Sequence, residues 1–138
     1  MTSNKETSKA LLELWADNVP QKSTDYLSPN YINHQIPDTS DSISTISVKE
    51  CQDLVTEFHK CFADVNMEIL LQVAEGDYVC TRWRVTATQT SNFLQYDATG
   101  KTSTWNGVHT DLYKDGKMIE SWVDWDKFSF LEGLGLVK

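Results

Sequence analysis

Asp115-Gly-Lys-Met-Ile-Glu-Ser-Trp-Val-Asp-Trp-Asp-Lys-Phe-Ser-Phe-Leu-Glu-Gly-Leu-Gly135 is the stretch on which the fold turns. Its first two residues, Asp115-Gly116, stand between Val108 and Leu112 on one side and Met118 and Ile119 on the other. An Asp-Gly pair between apolar runs is a strong hairpin signal, because glycine takes the positive φ that a tight turn between twisted strands requires. The segment after the turn is therefore expected to be a paired strand. Period-two alternation puts Met118, Glu120, Trp122, Asp124 and Asp126 on one face and Ile119, Ser121, Val123 and Trp125 on the other. Tryptophan occurs on both faces. The carboxylates beside Trp122 are therefore expected to border an apolar hollow, where a carboxylate is either a structural liability or a proton-transfer group.

Working outward, Thr102 to Lys114 reads as the long strand that enters this turn. Met67 to Ala74 and Tyr78 to Thr90, rich in Val, Thr, Tyr and Trp, read as a second hairpin closed by Glu75-Gly76-Asp77. Ser91 to Gly100 is irregular, with Phe93, Leu94 and Tyr96 expected to tuck in. The N-terminal half reads differently. Ser3-x-x-Glu6 suits a capping box, followed by Leu11, Leu14 and Trp15 at helical spacing up to Asn18, with Pro20 as the stop. Ser47-x-x-Glu50 is a second capping box, and Val48, Cys51, Leu54, Val55, Phe58, Cys61 and Phe62 mark one face of the helix after it. Asp64-Val-Asn66 is expected to end that helix. Between the helices, Asn30 to His34 suits a short strand, and the polar run Ile36 to Ile46 suits a solvated loop or a flap over a pocket. Helices first and long antiparallel strands after them is an α+β order, with helices on one face of a curved sheet.

Composition narrows the function. At 138 residues, with 40% hydrophobic and 11% aromatic residues, the chain fits a single domain around a small pocket. The net charge of −8, with no cluster of Lys or Arg, argues against nucleic acid or an anionic membrane as partner. Three cysteines at no metal spacing, Cys51, Cys61 and Cys80, suit free thiols in a reducing compartment. Met1-Thr-Ser-Asn-Lys-Glu6 lacks the apolar core of a signal peptide, and no apolar run approaches a membrane span, so a soluble, cytoplasmic protein is expected. The scattered histidines disfavour a metal, and no glycine-rich phosphate loop or Gly-x-Ser-x-Gly elbow occurs. Any chemistry is thus expected to be acid/base work with no cofactor.

Trp105-x-Gly107, Asp115-Gly-Lys117, Glu120-x-Trp122-x-x-x-Asp126 and Leu131-x-x-Leu134-Gly135, preceded by Pro29-x-Tyr31-x-x-His34, Phe62-x-Asp64, Glu75-Gly-Asp77 and Arg82-Trp83, resemble the SnoaL-like polyketide cyclase (ester cyclase) family. The order and spacing of these fragments carry the likeness over most of the chain. The resemblance implies the cone-shaped α+β barrel of the nuclear transport factor 2-like superfamily, a curved antiparallel sheet wrapped around N-terminal helices. That fold hosts enzymes and binding modules alike. The sequence departs from the family pattern at Asn33, where an aspartate often precedes the histidine, and at Ser121, where histidine is common before the tryptophan. These departures bear on the substrate rather than on the fold.

Asp126 matches the aspartate proposed as general acid/base in the cyclases this chain resembles. Near Trp122, Trp125 and Phe128 its pKa is expected to rise, and the competing reading is a cap for the turn that begins at Lys127. His34 lies in the segment that resembles the family's pocket-lining entry to the barrel, and His109 lies on the neighbouring strand with Gly107, Asp111 and Tyr113 on its face. Either histidine is a candidate partner of Asp126; each also has a structural reading. Trp83, Trp105, Trp122, Tyr31 and Phe58 are candidate walls for a ligand, although aromatic residues on strands usually pack in cores. The expected activity is cofactor-free cyclase or isomerase chemistry on a small hydrophobic carbonyl compound. The alternatives are a non-catalytic small-molecule carrier and a purely structural domain. Aromatics on both faces of long strands leave apolar surface to cover, so a homodimer is expected.

Overall fold

In the computed structural model, which describes residues 3–35, 45–93 and 96–137, the chain reverses at Asp115-Gly116 with positive φ at both residues, 53° and 78°. Two left-handed central residues make a type I′ turn, whose twist matches that of the strands it joins. The strands are β4 (Thr102–Lys114) and β5 (Lys117–Trp125). With β1 (Leu27–Asn33), β2 (Phe62–Glu75) and β3 (Tyr78–Gln89) they form a five-stranded sheet in the order β1-β5-β4-β3-β2. All neighbours are antiparallel except β1 and β5, which run parallel. The sheet is curved and open: β1 and β2 are its edges, so it does not close into the expected barrel.

Among the described residues three helices accompany the sheet: α1 (Asn4–Ala16), α2 (Val48–Cys61) and α3 (Lys127–Gly133). A 3-10 turn over Pro20–Asp25 follows α1. Ser3 caps α1 by accepting from the Glu6 amide at 3.1 Å. At α2 the capping box is complete: Ser47 Oγ accepts from the Glu50 amide at 3.3 Å, and Glu50 Oε1 from the Ser47 amide at 3.2 Å. The sequence placed the end of α2 at Asp64-Val-Asn66. Instead β2 starts directly after Cys61, and Asp64, at φ 54°, lies where the β2–β3 register shifts. Most of the Ile36 to Ile46 segment, and with it the flap reading, lies outside the described residues, as does Leu94; Ile46 itself bridges to Asn33.

A second irregularity governs the site. Tyr113 pairs with Met118, but Leu112 pairs with Glu120, so Ile119 is an extra residue in β5. A bulge of this kind shifts the alternation by one. Met118, Ser121, Val123 and Trp125 therefore share the inner face with Trp105, Gly107, His109, Asp111 and Tyr113 of β4, while Glu120, Trp122 and Asp124 turn outward. The inner face packs against α1, α2 and α3 around Leu12, Phe58, Trp83, Val85, Trp105 and Phe130.

Candidate functional site

Between the inner sheet face and the helices lies a cavity of about 230 Å³. Its wall is mostly aliphatic and aromatic, with Phe58 from α2, Trp83 from β3 and Trp105 from β4 among the largest side chains. Polar groups gather on one side. Asp111 on β4 is 2% exposed and accepts from Ser8 Oγ of α1 at 2.8 Å and from Ser121 Oγ of β5 at 2.6 Å. Each serine has one proton, and each gives it to the carboxylate. The hydroxyl behind Ser8 must therefore donate, Tyr113 to Ser8 Oγ at 2.6 Å. Asn33, the register partner of Ser121 on β1, donates from Nδ2 to the Tyr31 hydroxyl at 3.1 Å. Two serine hydroxyls thus converge on one buried carboxylate, the arrangement that lets a charge persist out of water. Burial pushes the phenols of Tyr31 and Tyr113 well above their ordinary range, so both stay protonated donors. Burial likewise pushes the Cys51 thiol, on the same side of the cavity, up to about 12. Asn33 Oδ1 is a buried side-chain atom without a hydrogen-bond partner among the described residues.

His109 sits two residues before Asp111 on the same face, and the surface it exposes borders the cavity. Its Nδ1 accepts from the Trp83 indole N–H at 2.8 Å. Desolvation lowers its pKa, outweighing the opposite pull of Asp111 and Asp124. The imidazole is therefore neutral at pH 7, and with Nδ1 occupied as an acceptor its proton resides on Nε2. A neutral hydrogen-bond donor and a buried carboxylate stand side by side in an otherwise largely apolar cavity.

The structure brings together five of the eight residues singled out from the sequence. His109, Trp83, Trp105, Tyr31 and Phe58 all line the cavity. The other three lie elsewhere. Asp126 is the exposed N-cap of α3: its carboxylate accepts from the Ser129 amide at 2.9 Å and from Ser129 Oγ at 2.6 Å. Those bonds stabilise the charged form and lower its pKa, the reverse of the expected rise. Both it and the outward-turned Asp124 border a shallow depression on the outer surface, beside Arg82 and Val108. His34 and Trp122 are on the outer sheet face, their rings stacked at 5.0 Å, and His34 Nε2 pairs with Glu120 Oε2 at 2.5 Å. His34 and Trp122 are therefore removed from the cavity by strand alternation, Trp122 through the Ile119 bulge.

The residues missed from the sequence are Asp111's partners, Ser8 and Ser121, together with Tyr113, which bonds Ser8, and Asn33. A serine in the middle of an amphipathic helix carries no local signal of its distant carboxylate. Asp111 itself was legible as a neighbour of His109 at strand spacing. Among the described residues no group of three or more His, Cys, Asp or Glu side chains is placed to hold a metal ion, and no helix is long and apolar enough to cross a membrane.

No curated protein matches the chain in sequence. Solved structures do. IdmH, described as a putative polyketide cyclase from Streptomyces antibioticus, shares 19% identity at a TM-score of 0.85, over 97% of this chain and 99% of that one. AclR, described as a putative hydroxylase from Streptomyces galilaeus, shares 24% at 0.81, over 97% and 96%. TsrD from Streptomyces laurentii shares 17% at 0.80, over 99% and 100%. At these identities the likeness concerns the fold. The family evidence comes from the sequence itself, which matches the description "SnoaL-like polyketide cyclase" over residues 5–134, and the chain belongs to that family.

Proposed function

We propose that this protein performs cofactor-free proton transfer on a small, mostly apolar carbonyl compound held in the cavity, as a cyclase or isomerase. The observation that carries this reading is the pairing, on one face of β4, of the neutral His109 with the buried Asp111 carboxylate. Among the described residues no lysine or arginine lines the cavity, so a neutral ligand fits beside Asp111 better than an anionic one. Asp111 takes the acidic proton next to the substrate carbonyl, breaking a C–H bond and forming its own O–H. His109 Nε2–H donates to the carbonyl oxygen as enolate charge develops there. In an isomerisation the proton returns to carbon. In a ring closure the enolate carbon attacks a second carbonyl, and the new alkoxide takes the proton back from Asp111.

A second reading, a non-catalytic carrier, is favoured by one feature: both Asp111 oxygens already accept short hydroxyl bonds, so the polar group of the cavity is satisfied without a substrate. Solvent-deuterium incorporation separates the two. A panel of neutral aryl ketones and β-keto esters is incubated with the protein in heavy water and followed by proton NMR. The enzyme reading expects exchange with at least one binder, a loss of roughly a hundred- to ten-thousand-fold in Asp111→Asn, and no change in Asp126→Asn. Binding without exchange leaves the carrier.

A further inference from the structure

Trp83 does more than wall the cavity. Its register partner on β4 is Gly107, and His109 is the next inward residue, so the indole reaches diagonally across the strand pair to Nδ1. The approach depends on glycine. A Cβ on Gly107 would lie 2.2 Å from Trp83 Cζ2 and 2.4 Å from Cη2, far inside contact distance. The ring therefore lies over a backbone position left bare of side chain. Trp83 is 6% exposed, and its indole N–H, a group that can only donate, has His109 as its partner. Nε2 of the same imidazole makes no hydrogen bond among the described residues, and His109 borders the cavity.

We propose that Trp83, seated on Gly107, is a positioning residue that locks His109 in the Nε2–H tautomer, so that the imidazole can donate to a ligand but cannot accept from one. A histidine free to exchange tautomers would present a lone pair as readily as a proton, and would tolerate a ligand N–H that can only donate, where this site demands an oxygen or nitrogen acceptor. The Trp83 bond removes that freedom. The role rests on the proposed function only for its catalytic consequence; the tautomer is a property of the unliganded protein.

The test uses the whole chain labelled with nitrogen-15 at histidine. In long-range proton–nitrogen spectra at neutral pH, His109 is expected to show an unprotonated Nδ1 and a protonated Nε2; assignment follows from loss of the signals in His109→Gln. Trp83→Phe keeps an aromatic body and removes the N–H. It is expected to let the Nδ1–H form appear and, if the exchange activity exists, to reduce it by about a hundredfold through misorientation. Gly107→Ala, which displaces the indole without deleting it, is expected to give the same mixed tautomer and serves if Trp83→Phe does not fold. A protonated Nδ1 in the wild type overturns the proposal outright. So does an unchanged tautomer in a folded variant of either kind. Absence of any exchange activity, with the tautomer shift observed, counts against the proposed function and leaves the lock standing.

Discussion

Replacing Asp111 with alanine removes the acceptor on which the Ser8 and Ser121 hydroxyls both end. Ser8 and Ser121, at 1% and 0% exposure, lose bonds of 2.8 and 2.6 Å to a charged partner. Hydrogen bonds to charged groups contribute about 1.5–3 kcal/mol each, so the gross loss is about 3–6 kcal/mol. Two effects reduce it. The folded state no longer carries a desolvated charge, and Ser8 retains its 2.6 Å bond to Tyr113, whose direction can reverse. A net destabilisation of about 2–4 kcal/mol is expected, a large part of the stability of a domain this size. Asp111→Asn keeps the volume and one acceptor but forces one of the two serines to turn its proton around, so it should cost less, about 1–3 kcal/mol. Ser8→Ala and Ser121→Ala should each be destabilising. Combined, they should depart from additivity by about 0.5–3 kcal/mol, because they share one carboxylate. Urea unfolding followed by fluorescence, with five tryptophans as reporters, reads all of these as shifts in midpoint. If Asp111→Ala is as stable as the wild type or more so, the carboxylate is a net liability to the fold and the converging serine hydroxyls do not hold it in place.

Two further expectations follow from the same geometry. The folded-state pKa of His109 is depressed from 6.5 by burial, so the unfolded chain binds the proton more readily. Stability should therefore be unaffected above that value and fall as pH drops from 6.5 toward the lowered folded pKa, by at most about 1.4 kcal/mol per pH unit; His109→Gln should remove this contribution, and an identical pH profile would refute it. On the outer sheet face, Val73, Cys80, Thr110 and Trp122 are successive register partners across four strands, and Leu71, Val73 and Tyr78 are 53%, 54% and 47% exposed. A second copy of the chain covering this face should give a sedimentation mass near twice 15.7 kDa, abolished by Val73→Glu; a wild-type monomer at micromolar concentration would rule it out.

What could be read in the sequence was local. Asp115-Gly116 needed positive φ at both residues and has it, and Ser47 with Glu50 met the requirements of a capping box within four residues. The pairing of β1 with β5 is parallel and joins segments some ninety positions apart, and Asn30 to His34 carries no pattern that names its partner. Asp126 satisfied two local rules at once, a family position and a helix cap. The cap prevailed because Ser129 supplies both an amide and a hydroxyl to its carboxylate. Trp122 and Glu120 were placed on the wrong side for a different reason. Alternation counts residues, and nothing in Met118-Ile119 announces that one of them is not counted.

That uncounted residue gives β5 a property that no side chain has by itself. If Ile119 were instead counted, pairing with Leu112 in an unbroken ladder, Glu120, Trp122 and Asp124 would enter the cavity, and Ser121, Val123 and Trp125 would leave it. Asp111 would then face Glu120 in place of the Ser121 hydroxyl, and His109 would face an indole in place of Val123. A one-residue change in how the strand pairs would thus exchange a hydrogen-bonded carboxylate for a pair of opposed ones, with every residue of β4 unaltered. In a scaffold built this way, the chemistry of the interior depends on where a strand is bulged as well as on which residues it carries.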